Sequence, residues 1–124
     1  MKQEMFDGLL NASAQKRYDH FLSVASDQEA VWLVDCGEDN LLSPEIEGIP
    51  HLLVWSEKEF AEHYLESILY DVSHEIVAVE IHEFMELLLK NQISLMVFPT
   101  EKDAWVVKSG DLYENLLFEL SRYE

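Results

Sequence analysis

Cysteine, proline and glycine are scarce in this chain of 124 residues, which contains one, three and four of them. The single Cys36 cannot form an internal disulfide, which agrees with a reducing cytoplasm. Four scattered glycines supply neither a phosphate-binding loop nor a dinucleotide fingerprint, so we expect no bound cofactor. No run approaches the roughly 20 apolar residues that span a bilayer, and residues 1–10 lack the apolar core of a signal peptide.

Basic residues are almost absent from the middle of the chain. Residues 18–89 contain 17 acidic residues and one base, Lys58, which leaves the two ends nearly neutral within a net charge of −17. An anionic surface repels nucleic acids and acidic lipids and attracts basic proteins. We therefore expect neither a nucleic acid nor a membrane as partner. Four of the other bases form at most two small basic spots, which we interpret as aids to solubility: Lys16, Arg17, Lys102 and Lys108.

Hydrophobic periodicity predicts a single α+β domain over residues 1–124, since 48% apolar residues suffice for one core. Strands are predicted at 30–35, 41–46, 49–55, 75–80, 93–98 and 104–108, and the first three are expected to pair as an antiparallel unit. Helices are predicted at 13–25, 56–69, 81–91 and 111–123, after a short one near 3–9. This order indicates three to four helices packed on a largely antiparallel or mixed sheet of about five to six strands.

Capping residues mark the predicted helix starts. Asn11 or Ser13 precedes the first long helix, and Ser56 with Glu59 forms a capping box. The last helix is expected to begin at a Ser109 or Asp111 cap and to dock on the sheet. Its apolar stripe is Leu112, Leu116, Leu117, Leu120 and Tyr123. The three tryptophans lie in apolar runs and are interpreted as structural residues: Trp32, Trp55 and Trp105.

Several short motifs, taken in their order along the chain, are similar to a known family. They are Asn11-Ala12-Ser13-Ala14 with Arg17-Tyr18 and Phe21-Leu22, Ala30-Val31-Trp32-Leu33, Val54-Trp55-Ser56 with Glu59-Phe60-Ala61, Glu83-Phe84, and Val97-Phe98-Pro99-Thr100. The chain resembles a small bacterial family catalogued as domain of unknown function 2750. The resemblance covers nearly the whole chain and is weakest at 36–48 and 69–75. It implies a single-domain bacterial protein and brings no agreed activity.

One face of a predicted helix is the first candidate for chemistry. Glu59, Glu62, His63 and Glu66 lie on successive turns of residues 56–69, a spacing that can bring oxygen and nitrogen ligands together. Residues 59–63 resemble the helix motif of zinc peptidases without its first histidine. A metal- or small-molecule-binding protein, or an enzyme that uses this face, is therefore one alternative. The other interpretation is a solvated acidic face, and we predict no metal.

Catalysis has little support elsewhere in the sequence. Glu80 could orient His82 as a base, but the two residues are better explained as a solvated pair at a helix entry. The carboxylates beside Cys36 disfavour its thiolate, so it is expected to be a poor nucleophile. The other histidines are interpreted as surface or half-buried residues: His20, His51 and His74. We therefore predict a protein that is not an enzyme.

A small acidic domain without catalytic motifs is typical of a protein-binding module. Immunity and inhibitor proteins are of this kind, because opposite charge speeds their association with a basic toxin or nuclease. The predicted partner-binding residues lie on one helix face and in the loops near it: Glu59, Glu62, Glu66, Glu38, Asp39, Glu45 and Glu47. A second alternative is that the acidity only keeps the chain soluble. Carboxylates gathered around apolar residues would favour binding, and an even spread would favour solubility.

Overall fold

Helices and strands follow one another in the predicted order in the computed structural model, which describes residues 2–122. They are α1 Gln3–Asn11, α2 Ala14–Gln28, β1 Ala30–Asp35, β2 Glu45–Ile46, β3 Ile49–Val54, α3 Lys58–Ser67, β4 Glu75–Glu80, α4 Ile81–Lys90, β5 Ser94–Val97, β6 Trp105–Lys108 and α5 Ser109–Ser121. The predicted α+β class is confirmed. Tyr123, predicted for the stripe of the last helix, lies outside the described residues.

The strands form two hydrogen-bonded groups that meet at one pair of tryptophans. One group has the order β2-β3-β5-β6, with β3 and β5 parallel and the other neighbours antiparallel, and the second is the antiparallel pair β1-β4. Trp32 and Trp55 join them by exchanging backbone hydrogen bonds, with N–O distances of 2.8 and 3.1 Å. The strands are therefore mixed in direction, as predicted.

The sequence predicts that the first three strands pair as one antiparallel unit, and this prediction is wrong for β1. β1 pairs along its whole length with β4, and residues 41–46 form a strand only at β2. Pro44 has no N–H to donate to a ladder, which explains why the segment pairs so briefly. Leu42 still links the two groups, since its N–H donates to the Val34 carbonyl at 2.9 Å and its carbonyl accepts from Leu53 at 3.3 Å.

The core lies on both sides of β3. Leu52, Leu53 and Val54 are consecutive and buried, so side chains on both faces of this strand are covered. α2 contributes Phe21, Leu22 and Ala25 at helical spacing, as predicted. Trp55 is fully buried, and its indole N–H donates to the Pro99 carbonyl at 3.2 Å, which confirms its structural role.

Arg17 belongs to this core, and its interpretation as a surface base is wrong. The side chain is 0% exposed, and the guanidinium donates to the carbonyls of Ala12, Phe98 and Asp103 at 2.6, 3.1 and 3.0 Å. It also forms a salt bridge with the Asp103 carboxylate. The planar guanidinium spreads five N–H donors over three nitrogens and can reach all these acceptors at once, whereas the three N–H donors of a lysine all start from one nitrogen. Arg17 thus holds the start of α2 against the turn that follows β5.

Phe98 lies at the centre of this contact in a left-handed backbone conformation, with φ of 50°. Its N–H donates to the Val54 carbonyl at 2.8 Å, and its ring packs against Phe60 with 4.5 Å between the centroids. The Arg17 guanidinium carbon lies 5.8 Å from the ring centroid. Since this conformation costs a bulky residue roughly 1–2 kcal/mol, the surrounding contacts must supply at least that much.

Two predicted caps are wrong, because the side chains concerned have other partners. Ser13 does cap α2, accepting from the Lys16 N–H at 3.2 Å. The N-cap of α3 is Glu57 rather than Ser56, whose hydroxyl donates to the Glu57 carboxylate instead. The N-cap of α5 is Lys108, and the Ser109 hydroxyl accepts from the Ile93 N–H at 3.2 Å. Ser109 therefore closes the end of the β5-β6 hairpin.

β4 forms an edge of the sheet, and its register fixes which of its backbone groups are free. Trp32 uses its N–H and carbonyl toward Trp55, so its pairing with Ala78 is of the non-hydrogen-bonded type. By the same alternation, the N–H and carbonyl groups of Ile76 and Ala78 and the N–H of Glu80 point away from β1. The Glu80 carbonyl accepts the first backbone hydrogen bond of α4, because Glu80 is the N-cap of that helix. Among residues 2–122, the N–H and carbonyl groups of Ile76 and Ala78 thus have no backbone partner.

Amide hydrogen exchange should alternate along β4. We expect the Val77 and Val79 amides, which face β1, to exchange at least about tenfold more slowly than those of Ile76 and Ala78, after correction for intrinsic rates. NMR-detected exchange into D₂O measures this directly. If the register between β1 and β4 were shifted by one residue, the Ile76 and Ala78 amides would be the slowly exchanging ones instead of those of Val77 and Val79. Equal protection of all four amides would contradict the edge assignment.

Candidate binding groove

A groove of about 690 Å³ lies between α3 and β4. It is called the acidic groove here, and its lining residues are Glu62, Leu65, Glu66, Leu69, Tyr70, Asp71, His74 and Ile76. α3 buries Phe60, Ala61 and Leu65, so Glu62 and Glu66 remain on its exposed side. The groove therefore combines an apolar floor with three carboxylates, the third from Asp71.

The end of α3 shapes one wall of the acidic groove. Leu69 has φ of 54°, and the N–H groups of Leu69 and Tyr70 return to the carbonyls of Glu66 and Leu65 at 3.1 and 2.9 Å. This is the Schellman arrangement, in which glycine is the usual residue at the left-handed position. A leucine there costs roughly 1–2 kcal/mol, and its side chain is 86% exposed beside the groove.

Tyr70 is fixed at the other wall by Cys36. The two side chains are hydrogen-bonded, with 3.3 Å between the Tyr70 hydroxyl and the Cys36 sulfur. This bond, together with burial and the nearby Asp71 carboxylate, raises the pKa of Tyr70 to about 12, so the phenol stays protonated at neutral pH. The His74 ring packs against the Tyr70 ring at 5.1 Å between centroids. The wall is therefore aromatic as well as acidic.

Exposed apolar side chains flank the acidic groove. Ile68, Leu69 and Val72 are 45%, 86% and 55% exposed, and all three lie between the end of α3 and β4. Isolated exposed apolar residues need no explanation, but three within five positions beside a groove are typical of an interaction site. Acidic and apolar groups thus occur together at this surface.

The other predicted partner-binding residues are exposed and lie elsewhere. Glu59 is in the first turn of α3 and does not line the acidic groove. Glu38 and Asp39 form the turn after β1, with φ of 53° and 61°. Asp39 lines a different groove of about 440 Å³, while Glu45 lies in β2 and Glu47 in the following turn. Glu62 and Glu66 share the acidic groove, and none of the other five predicted residues lines it.

The face considered as a candidate for metal binding, which consists of Glu59, Glu62, His63 and Glu66, is not arranged as a ligand set. His63 lies edge-on to the Phe6 ring of α1, with 5.4 Å between the centroids. Within residues 2–122 no three side chains of His, Cys, Asp or Glu are grouped so that they could hold a metal ion. Glu62 and Glu66, which are one turn apart on α3, instead line the acidic groove together with Leu65.

Glu80 and His82 form the solvated helix-entry pair that the sequence predicts. Glu80 is the N-cap of α4, and its carboxylate accepts from the His82 backbone N–H at 2.7 Å and lies 2.9 Å from the ring. The backbone hydrogen bond, and next the ring, lower the pKa of Glu80. Both side chains are more than half exposed. The pair therefore stabilises the start of α4.

The sequence pattern did not indicate three of the groove residues or the contact between His20 and Glu57. Tyr70, Asp71 and His74 lie where the family resemblance is weakest, and no periodic pattern marks them. His20 lies 3.0 and 3.1 Å from the two Glu57 carboxylate oxygens, half-buried near Phe98. The two residues are far apart in the chain, so no local motif could connect them. This pair orients the start of α3 against α2.

Two observations bear on the class of the protein. None of the helices within residues 2–122 has the length and apolar content needed to cross a membrane. A family model described as protein of unknown function (DUF2750) matches residues 18–116, and no curated protein matches the chain. The chain belongs to this family, and the match includes α2 from Tyr18 onward, the acidic groove and most of α5.

Proposed function

We propose that this member of the family is a non-catalytic module that binds a basic protein through the acidic groove. The observation that carries the proposal is the grouping of Glu62, Glu66 and Asp71 around the apolar side chains of Leu65 and Leu69. Carboxylates around an apolar centre suit a partner segment that has lysine or arginine beside an apolar residue. A purely solubilising surface does not require this grouping.

Charge and apolar area act on different parts of the binding reaction. The net charge of −17 steers a basic partner toward this protein and raises the association rate, an effect that salt screens. Burial of the exposed Leu69 and Val72 side chains would then slow dissociation. A partner that is recognised by both charge and apolar contacts associates fast at low salt and stays bound after the salt concentration is raised.

An immunity or inhibitor role against a basic toxin or nuclease is the finer form of this proposal. Such a protein must reach a cationic surface quickly and cover it, which is what the charge supports. We place this action in the cytoplasm, because Cys36 is a free thiol that is neither fully buried nor paired with another cysteine.

Neutralising the groove should weaken partner binding more than neutralising other carboxylates. The test variant carries Glu62→Gln, Glu66→Gln and Asp71→Asn. Each charge in a desolvated contact contributes about 1 kcal/mol or more, so we expect the loss of all three to raise the partner's Kd at least about a hundredfold. A partner captured from cells at low salt is purified and titrated by calorimetry against the wild type and the variant.

The matched control removes the same number of charges from exposed sites on other elements, with Asp27→Asn, Glu83→Gln and Glu114→Gln. We expect less than about a threefold change in Kd, because these sites act only through the long-range field. An equal loss of affinity in the two variants would show that the carboxylates act only through the overall charge and that the groove is not the binding site. If no partner is captured at low salt or at high salt, the result would count against the proposal that this protein binds a partner.

A further inference from the structure

We infer that the outer edge of β4 binds an extended basic segment of the partner as an added antiparallel strand, alongside the acidic groove. This inference rests on the proposed function and specifies how the partner is recognised. It makes backbone hydrogen bonds the main contacts and carboxylates the source of selectivity. The occupant is a segment of another protein in which basic and apolar residues alternate.

The backbone of β4 is prepared for such a strand. Ile76 and Ala78 direct their N–H and carbonyl groups away from β1, as their register with Val34 and Trp32 requires, and Glu80 adds an outward N–H. Side chains do not obstruct this edge at its centre, because Ala78 is small and exposed. Peptide-binding domains use free edges of this kind to add a strand.

β4 also lacks the features that usually block edge pairing. Its sequence, Glu-Ile-Val-Ala-Val-Glu, contains no proline or lysine, and the regular register with β1 has no bulge. The remaining protection is negative charge at its two ends, from Glu75 and Glu80. The net charge of −17 repels a second copy of this chain, and the carboxylates of Glu75 and Glu80 favour a basic segment at this edge.

The acidic groove determines which side chains of the added strand are recognised. Ile76 lies in β4 and also lines the groove, so the groove opens on the sheet face that carries Ile76. Residues directly opposite each other in an antiparallel pair share a face. A lysine or arginine opposite Ile76 or two positions away is therefore placed toward Glu62, Glu66 and Asp71. Alternation of basic and apolar residues follows from the alternation of faces.

The probe is a capped eight-residue peptide of alternating lysine and valine. Its control has the same sequence with the four central amides N-methylated, which preserves charge and removes hydrogen-bond donors. We expect the unmodified peptide to bind at least tenfold more tightly, measured by fluorescence anisotropy at low salt. Its binding should also slow exchange of the Ile76 and Ala78 amides and leave that of Val77 and Val79 unchanged. Equal affinity of the two peptides would overturn the inference.

Variants of Ala78 test the same edge from the protein side. Ala78→Pro removes an outward N–H and should weaken the unmodified peptide at least fivefold, whereas Ala78→Thr keeps the N–H and should bind like the wild type. If Ala78→Pro does not fold by circular dichroism, the N-methylated peptide still decides the question.

The result separates strand addition from the proposed function. Loss of binding in the groove variant without any effect of N-methylation would retain the groove and reject the added strand. A strong effect of N-methylation without any effect of the groove variant would retain the strand and reject the groove as the source of selectivity.

Discussion

Replacing Arg17 by alanine is expected to lower the free energy of unfolding by about 3–5 kcal/mol, because each buried carbonyl that loses its donor costs about 1–3 kcal/mol and the lost side chain leaves a cavity. The loss would leave the carbonyls of Ala12 and Phe98 without their donor and open a cavity beside the Phe98 ring. The salt bridge itself contributes little, since the Asp103 side chain is 54% exposed. Urea denaturation followed by tryptophan fluorescence measures the change.

The neighbouring residue supplies the control. Lys16 is exposed and adjacent in sequence, so Lys16→Ala should change stability by no more than about 0.5 kcal/mol. Arg17→Lys keeps the charge, but its donors all start from one nitrogen instead of the three that Arg17 uses, and we expect it to recover less than half of the loss. A loss below about 1 kcal/mol for Arg17→Ala would mean that the buried network is not a stabilising element.

Replacing Phe98 by alanine is the second large effect, with an expected loss of about 3–5 kcal/mol. The ring is fully buried and packs against Phe60 and His20, at 4.5 and 6.0 Å between centroids. Alanine would leave a cavity and would keep the left-handed backbone, so no strain is relieved in compensation. Thermal and chemical denaturation of the purified variant give the change.

Phe118 is a matched control for Phe98. It is 68% exposed on α5, so Phe118→Ala removes the same atoms without creating a cavity, and we expect a change within about 0.5 kcal/mol. The two variants together separate core packing from the general loss of an aromatic residue. Similar stabilities of Phe98→Ala and the wild type would show that the turn after β5 is not part of the cooperative core.

Local pattern was sufficient to predict most elements of this fold. α2, α4 and the β5-β6 hairpin follow from helical spacing or alternation within a few residues, and the solvated Glu80–His82 pair follows from its position at a helix start. Each of these features depends on neighbours in sequence. Periodicity reports such neighbours because a side chain on one face of a helix or strand recurs at a fixed interval.

Features that depend on distant residues could not be predicted. Nothing local indicates that β1 pairs with β4, or that Arg17 reaches the carbonyl of Phe98. The Ser56 capping box failed because Glu57 contacts His20 and holds the Ser56 hydroxyl. For the acidic groove, Glu62 and Glu66 followed from the stripe of α3, but Asp71 and His74 come from an aperiodic loop.

The connections between the two strand groups have a consequence for the order of folding. Joining β1 to β4 closes a loop that contains β3, and joining β3 to β5 closes a loop that contains β4. Each ladder thus encloses a strand of the other. Neither ladder can form early as a separate hairpin, because a long loop must close before the strands of each ladder make contact. Folding is therefore expected to be slower than that of a helical bundle of this size, because β1 and β3 each pair with a strand that is distant in sequence.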